Sequence, residues 1–354
     1  MNRAFWSGKR VFLTGHTGFK GSWLALWLER LGSRVTGYAL EPPSRPSLFE
    51  RAEVAGGLES IHGDLRDLDR LRQAMTTARP QVVLHLAAQS LVKEGYRDPL
   101  GTYSTNVQGT AHVLEAARGC DGLEALVSVT TDKCYRNDER AVGFREEDPL
   151  GGHDPYSSSK AGAELVTAAY RRSFFRDGAP FVASARAGNV IGGGDWAADR
   201  LIPDLIRGFS AGETVKVRSP AAIRPWQHVL EPLRGYLEVA EHLATGGAAF
   251  AEAWNFGPEE SDARPVEWIA TRAAELWGDG AGWELDDEVH PPEATYLKLD
   301  VSKAGERLGW RPVVDLETAL GWIVDWHRRE AAGESARELC AERIARYEER
   351  LEIK

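Results

Sequence analysis

Three features of this 354-residue sequence predict an α/β fold, a doubly wound parallel sheet with a smaller C-terminal lobe. Short apolar runs alternate with longer helical patterns, the runs are apolar on both faces, and a glycine-rich turn links the first run to the first helix. The runs are Val11 to Thr14, Val35 to Tyr38, Val82 to Ala87, Leu126 to Thr130 and Phe181 to Arg186. Strands solvated on one side alternate apolar with polar residues, so continuous runs indicate a sheet covered by helices on both sides. From about Gly188 the pattern loosens into Gly-rich loops, Pro-bounded segments and helices, with one more strand ending at Trp254, Asn255 and Phe256. This assigns residues 1–187 with about 227–256 to the sheet domain, and residues 188–226 with 257–354 to the lobe. The tail after Asp315 reads as helical, and its charged stretch Arg346 to Glu349 reads as a solvated face.

Composition narrows the function. With 43% hydrophobic and 27% charged residues the chain buries a large core, which excludes disordered and fibrous classes. Lys and Arg total 43 against 53 Asp and Glu, a net charge of -10 at pH 7, and no basic block tracks a phosphate backbone, so general nucleic-acid binding is excluded. Cys120, Cys134 and Cys340 lack metal-ligand spacing, so neither a disulfide framework nor a metal is expected. No stretch is apolar enough for a membrane span, and Met1 to Arg10 has no secretory apolar region, so a cytoplasmic protein is expected. The twelve tryptophans recur largely at helical spacing, as Trp23 and Trp27 or Trp322 and Trp326 do, which indicates core packing.

The first βα turn reads Thr14-Gly15-His16-Thr17-Gly18-Phe19-Lys20-Gly21 and opens a helix with an apolar stripe of Trp23, Leu24, Trp27, Leu28 and Leu31. Glycines at 15, 18 and 21 permit a tight turn, close approach of the backbone to a pyrophosphate, and close packing of helix on strand. The helix N-terminus offers free N–H groups to the anion, so this is a dinucleotide site. The second strand ends without an Asp for an adenosine ribose; Glu41 is one substitute, whereas Arg45 would attract a 2′-phosphate, and the loop leaves NAD and NADP open. Asp64, after a third apolar strand, is placed either to meet an adenine edge or to cap a helix running from Leu65 to Met75.

Tyr156 and Lys160 stand four apart on an expected helix and share one face. A cation there lowers the phenol pKa and grips a ribose, making the phenolate a base for an alcohol oxidised by hydride transfer. At the end of the Leu126 to Thr130 strand come Thr131, Asp132 and Lys133, where a doubly wound sheet presents residues to its ligand crevice. Asp132 would serve as an acid, Thr131 as a hydroxyl donor, and Lys133 as a second base or structural cation; a surface turn is the alternative.

These motifs resemble the extended short-chain dehydrogenase/reductases, with their Rossmann-like sheet, and among them the CDP-glucose 4,6-dehydratases. The likeness covers nearly the whole chain and also includes Gly188-Asn189-Val190-Ile191-Gly192-Gly193-Gly194-Asp195-Trp196, Arg224-Pro225-Trp226-Gln227-His228-Val229 and Trp254-Asn255-Phe256-Gly257-Pro258. Lys133 discriminates, since dTDP-glucose and GDP-mannose dehydratases carry a glutamate there. The resemblance implies NAD as cofactor, held by Gly15, Thr17, Gly18, Phe19, Gly21, Asp64, Leu65, Ala87, Tyr156 and Lys160. It implies CDP-glucose as substrate, with Asn189 and Arg224 near the diphosphate and Arg200 and Leu201 near the nucleotide. His290 falls where relatives have a diphosphate-binding arginine.

The implied reaction, part of deoxysugar biosynthesis such as that of lipopolysaccharide O-antigen, oxidises C4 through Tyr156 with Thr131 on the oxygen. It then removes the C5 proton with Lys133 and the C6 hydroxyl with Asp132, and returns hydride to C6. Lys133 must then lie below its reference pKa of about 10.4 and Asp132 above about 3.9; burial acts that way, an ion pair between them the opposite way. The resemblance also implies a homodimer or homotetramer paired through helices expected at Thr102 to Ala117 and Ser157 to Ser173. Rival readings are another nucleotide-sugar dehydratase or epimerase, and a non-catalytic NAD-sensing protein of the same fold.

Overall fold

The computed structural model describes residues 1–176, 178–288 and 296–352. Twelve strands are present among them: β1 Arg10–Thr14, β2 Arg34–Ala39, β3 Glu59–His62, β4 Val82–His85, β5 Ala125–Val129, β6 Phe181–Ala187, β7 Asn189–Ile191, β8 Val215–Val217, β9 Ile223–His228, β10 Ala253–Phe256, β11 Ala263–Pro265 and β12 Trp283–Leu285. Seven form one sheet in the order β10-β6-β5-β4-β1-β2-β3, with every pairing parallel. Each apolar run expected to be a strand is one. β3 differs: Glu59 and Ser60 are exposed, because an edge strand need not be apolar on both faces.

Alternate residues of the central strands feed two cores, and this explains the continuous apolar runs. Val11, Leu13, Val82, Leu84, Val127 and Ala185 pack toward helices Phe19–Arg30 and Leu230–Gly246. Phe12, Val83, Leu126 and Val182 face the opposite layer, which holds Leu68–Ala78 and Gly109–Ala117. Each such side chain contributes about 1.5–3 kcal/mol of burial, so a charge at Phe12 or Val127 would open the sheet on that face.

After β6 the chain leaves the C-terminal edge of the sheet, pairs β7 with β9, and builds the lobe from Leu201–Ala211, Val266–Trp277 and Leu316–Ala331 around Leu205, Phe209, Trp226, Ile269 and Leu320. β9 then leads into Leu230–Gly246, which returns to the sheet before β10. The last helix, Ala336–Glu352, lies against Phe19–Arg30, although the sequence grouping put residues 257–354 with the lobe. Its charged stretch is not simply solvated. Tyr347 is buried and donates to Glu231 Oε2 at 2.7 Å, and the Glu348 side chain, 11% exposed, accepts from Trp27 Nε1 at 3.1 Å and from Arg3 and Arg30. A buried indole N–H needs an acceptor, and this carboxylate supplies it.

Candidate active site

The glycine turn has a physical reason at two positions. Gly15 has φ +80°, and a Cβ there would lie 2.7 Å from the Ala87 backbone nitrogen. A Cβ at Gly21 would lie 2.0 Å from the Gly15 carbonyl oxygen, so only glycine lets the helix sit this close to the loop. Gly18 differs: it is the N-cap of Phe19–Arg30, and a Cβ there meets only the Gly15 oxygen at 3.4 Å. The first-turn N–H groups of that helix have no capping side chain, as a pyrophosphate requires.

Thr17 Oγ1 is held by the Leu40 carbonyl at 2.9 Å, and Phe19 lines the cavity beyond the loop. Leu65 is buried against Gly109. Asp64 does not cap the following helix: Asp67 does, accepting from Arg70 N at 3.0 Å, and the helix spans Leu68–Ala78. Asp64 instead accepts from Arg66 N at 2.9 Å and from the Arg66 guanidinium, which holds its carboxyl below the usual range. Glu41 is exposed, 3.7 Å from His62 Nε2, and Arg45 is turned to Glu50 at 3.9 Å.

A buried chain beneath the loop was invisible in the sequence. Ala87 N donates to Thr14 Oγ1 at 3.1 Å, and Thr110 Oγ1 donates to the Asn106 carbonyl at 2.6 Å. His85 bridges them, with Nδ1 2.8 Å from Thr14 Oγ1 and Nε2 3.1 Å from Thr110 Oγ1. Since both threonines spend a lone pair or proton elsewhere, Thr14 donates to Nδ1 and the Nε2–H donates to Thr110. Burial and the charge of Lys160 pull His85 down to about 3, so it is a neutral strut tying β1 to β4.

The helix Pro155–Phe174 starts at Asp154, whose side chain accepts from Ser157 N at 2.9 Å, and carries Pro155 in its first turn. It carries Tyr156, which lines the crevice at the end of β5, and Lys160 one turn further on, both buried. Tyr156 departs from the expectation of a lowered phenol: burial pushes it up to about 12, while hydrogen bonding with Thr131 pulls it down and Asp132 pushes it up. Lys160 Nζ donates to the Val129 carbonyl at 3.1 Å, and burial brings it to about 8. Across the crevice, Thr131 Oγ1 donates to Asp132 Oδ1 at 2.9 Å. Asp132 is 2% exposed, and its Oδ2 has no hydrogen-bond partner among the described residues. Burial raises its pKa against the pull of Lys133, Thr131 and Arg224, as the sequence reading requires. Lys133 lines the same cavity, half-buried.

That cavity, about 330 Å³, runs from these groups into the lobe and is also lined by Asn189, Arg200, Leu201 and Arg224. Arg200 donates to Asp195 Oδ2 at 3.1 Å and to Ser90 Oγ at 3.2 Å. His290 lies outside the described residues. Lys20, given no role from sequence, faces the cavity too; burial, then Lys160 and Arg200, lower it to about 7, while Asp132 opposes them. A lysine in the first turn of a helix opposes the helix dipole, and that was the available signal. The glycine loop, with its uncapped helix N-terminus, and the buried Tyr156 and Lys160 fit a dinucleotide cofactor.

The sequence profile of the family described as GDP-mannose 4,6 dehydratase matches residues 12–321. A CDP-glucose 4,6-dehydratase of Salmonella typhimurium is 53% identical over 348 residues, covering 97% of this chain and 97% of that protein. Among solved structures, a dTDP-glucose 4,6-dehydratase from Streptomyces venezuelae with NAD bound superposes with a TM-score of 0.76 at 26% identity, over 91% of this chain and 98% of that one. A dTDP-glucose 4,6-dehydratase from Bacillus anthracis in complex with NAD has the same fold, with a TM-score of 0.77 at 20% identity, over 92% of this chain and 98% of the other.

Proposed function

Because the chain belongs to the nucleotide-sugar 4,6-dehydratases, the family of the GDP-mannose 4,6 dehydratase profile, we propose that it is a lyase converting CDP-D-glucose to CDP-4-keto-6-deoxy-D-glucose with bound NAD. The observation that carries this reading is a second acid-base set in the crevice of an alcohol-oxidising pair. A simple dehydrogenase needs Tyr156 and Lys160 alone; a buried carboxyl with a raised pKa and a partnerless oxygen, beside a lysine, suits an elimination.

Bound NAD would supply the hydride acceptor for C4 and the hydride donor for C6. Tyr156 accepts the C4 hydroxyl proton, and Thr131 hydrogen-bonds the same oxygen. Tyr156 acts as base only as the phenolate, which burial opposes; Lys160, a cation below its pKa of about 8 and one helical turn away, is the charge that would favour it. The C4 ketone acidifies C5, whose proton Lys133 removes, while Asp132 gives its proton to the C6 hydroxyl, which leaves as water; as hydride reaches C6, Lys133 returns a proton, exchangeable with solvent, to C5. Asn189 and Arg224 hold the diphosphate, a planar fork suiting its oxygens, and Arg200 and Leu201 flank the nucleotide. The sheet domain, residues 1–187 with 227–256, covered by the last helix Ala336–Glu352, binds NAD, and the lobe, 188–226 with the rest of 257–354, binds the nucleotide sugar.

Two copies pair through an apolar face: Leu100 is 81% exposed on Pro99–Tyr103, with Tyr103 beside it, and Leu165 and Phe174 are exposed on Pro155–Phe174. No helix among the described residues is long and apolar enough to cross a membrane, and we place the enzyme in the cytoplasm. Product analysis after incubation with CDP-glucose and NAD in deuterated water tests the reading. A 4-keto-6-deoxy product with deuterium at C5 and no stoichiometric NADH is expected. Turnover of dTDP-glucose but not CDP-glucose would overturn the substrate assignment.

A further inference from the structure

Behind the two acid-base sets lies a buried polar cluster that takes part in none of the proton transfers above. Glu164 stands one helical turn beyond Lys160 on the same helix. Its Oε1 accepts from Thr130 Oγ1 at 2.5 Å, and its Oε2 accepts from Ser184 Oγ and from Arg186 Nη2, both at 2.7 Å. Arg186, on β6, reaches the other way: its Nη1 donates to the Tyr135 hydroxyl at 2.7 Å and to the Glu146 carbonyl at 3.1 Å. The guanidinium lies 4.9 Å from the Tyr135 ring centroid, and the Tyr135 hydroxyl donates to Asn255 Oδ1 at 2.7 Å.

Thr130 immediately precedes Thr131-Asp132-Lys133, and Tyr135 lies two residues beyond Lys133. One ion pair thus grips that segment at both ends, while its carboxylate is rooted on the helix that carries Tyr156 and Lys160. Although burial acts to raise it, the Arg186 charge and three hydrogen bonds hold the Glu164 carboxyl below its usual range, so the grip stays ionic at working pH. Stability alone is a poor reason for such a pair, because desolvation offsets most of its attraction and apolar residues of similar volume often serve as well. Apolar residues, however, do not tie two chain segments at defined atoms.

We propose that Glu164 and Arg186 are positioning residues that set the register between the Tyr156–Lys160 pair and the Thr131–Asp132–Lys133 segment. One sugar pose then meets the oxidising and the eliminating groups in turn, without moving between them. This rests on the dehydratase reading.

The test is the double variant Glu164→Gln with Arg186→Met, which removes both charges and leaves neither unpaired in the core. Its melting temperature should stay near that of the wild type, with KM for CDP-glucose unchanged and kcat lower by about 100-fold, the usual cost of a misplacement near 1 Å. Bound NADH should build up in a single turnover, since the Tyr156–Lys160 pair survives on its own helix while elimination is slowed. Unchanged kcat overturns the proposal, as does a loss of kcat accompanied by a lower melting temperature, a raised KM and no NADH build-up. Should the double variant fail to fold, Arg186→Lys decides: it keeps the charge but loses the fork, so reduced kcat at normal melting supports the proposal and wild-type kcat overturns it. A wild-type enzyme inactive on CDP-glucose overturns the functional reading together with this inference, whereas equally active wild type and variants overturn the inference alone.

Discussion

Replacing Asp132 by asparagine separates oxidation from elimination with little change in shape. The amide keeps the oxygen that accepts from Thr131, a bond of about 1 kcal/mol, so the turn should hold. Gly188 leaves room for the other atom, because even a Cβ there would come within 2.9 Å of Asp132 Oδ2. What is lost is a proton that can be given to the C6 oxygen. General acid catalysis is worth about 100- to 10,000-fold, so the barrier to elimination should rise by about 2.7 to 5.4 kcal/mol. Tyr156, Lys160 and Thr131 are untouched, so a single turnover with CDP-glucose should still raise nicotinamide absorbance, and the rise should then persist.

Stability provides an independent check. Burial raises the Asp132 pKa, so the folded protein retains a proton that the unfolded chain releases, and wild-type stability falls as pH rises from the unfolded carboxyl value through the raised one. Asparagine does not titrate. The melting temperature of Asp132→Asn should therefore gain on that of the wild type as pH rises above the ordinary carboxyl value of about 4. Wild-type turnover in the variant would remove Asp132 from the elimination. A variant that melts well below the wild type at the upper pH would mean that the carboxylate is ionised and paired, and the raised pKa would be wrong.

Three further outcomes are expected. Tyr156→Phe should lower turnover by about 100-fold with little effect on substrate affinity, and retention of most turnover would assign the C4 proton elsewhere. Lys133→Met should form bound NADH but admit little solvent deuterium at C5, and exchange at the wild-type rate, followed by mass spectrometry, would clear Lys133 of the base role. Gly21→Ala forces a Cβ onto the Gly15 carbonyl and should cost about 1–3 kcal/mol along with most NAD affinity; a titration showing unchanged affinity would mean that the loop does not hold the pyrophosphate.

The strands and the glycine turn were legible because burial on two faces leaves an unbroken apolar record, and because φ +80° at Gly15 and the contact at Gly21 admit no other residue. Tyr156, Lys160, Thr131, Asp132 and Lys133 were legible as residue types at the right places in that frame; all but Lys160 line one crevice, and Lys160 is buried one helical turn beyond Tyr156. Their protonation was not. The phenol of Tyr156 is raised rather than lowered because solvent exclusion outweighs its neighbours, a balance that depends on depth and not on spacing. Glu164, Arg186 and Glu348 read as ordinary charged residues, since a buried carboxylate is distinguished only by partners distant in sequence, such as Trp27 for Glu348. Asp64 was misplaced as a possible cap because two acidic residues precede the same helix, and only the local backbone chooses Asp67.

The last helix has a consequence for how the protein is made. Tyr347 stacks edge-on against Trp27 at 5.6 Å, and Cys340 and Ile344 complete the core over the helix that follows the glycine turn. During synthesis at about 5–20 residues per second, N-terminal units usually close first. Here the first βα unit emerges early and gains part of its cover from Leu48–Arg51 and Val54–Gly57, yet Trp27 meets Tyr347 only after the ribosome has translated past residue 336, and Glu231 waits as long for the same hydroxyl. This side of the sheet is thus completed late in translation, and a chain cut short before this helix leaves the Trp27 face open to chaperones and proteases.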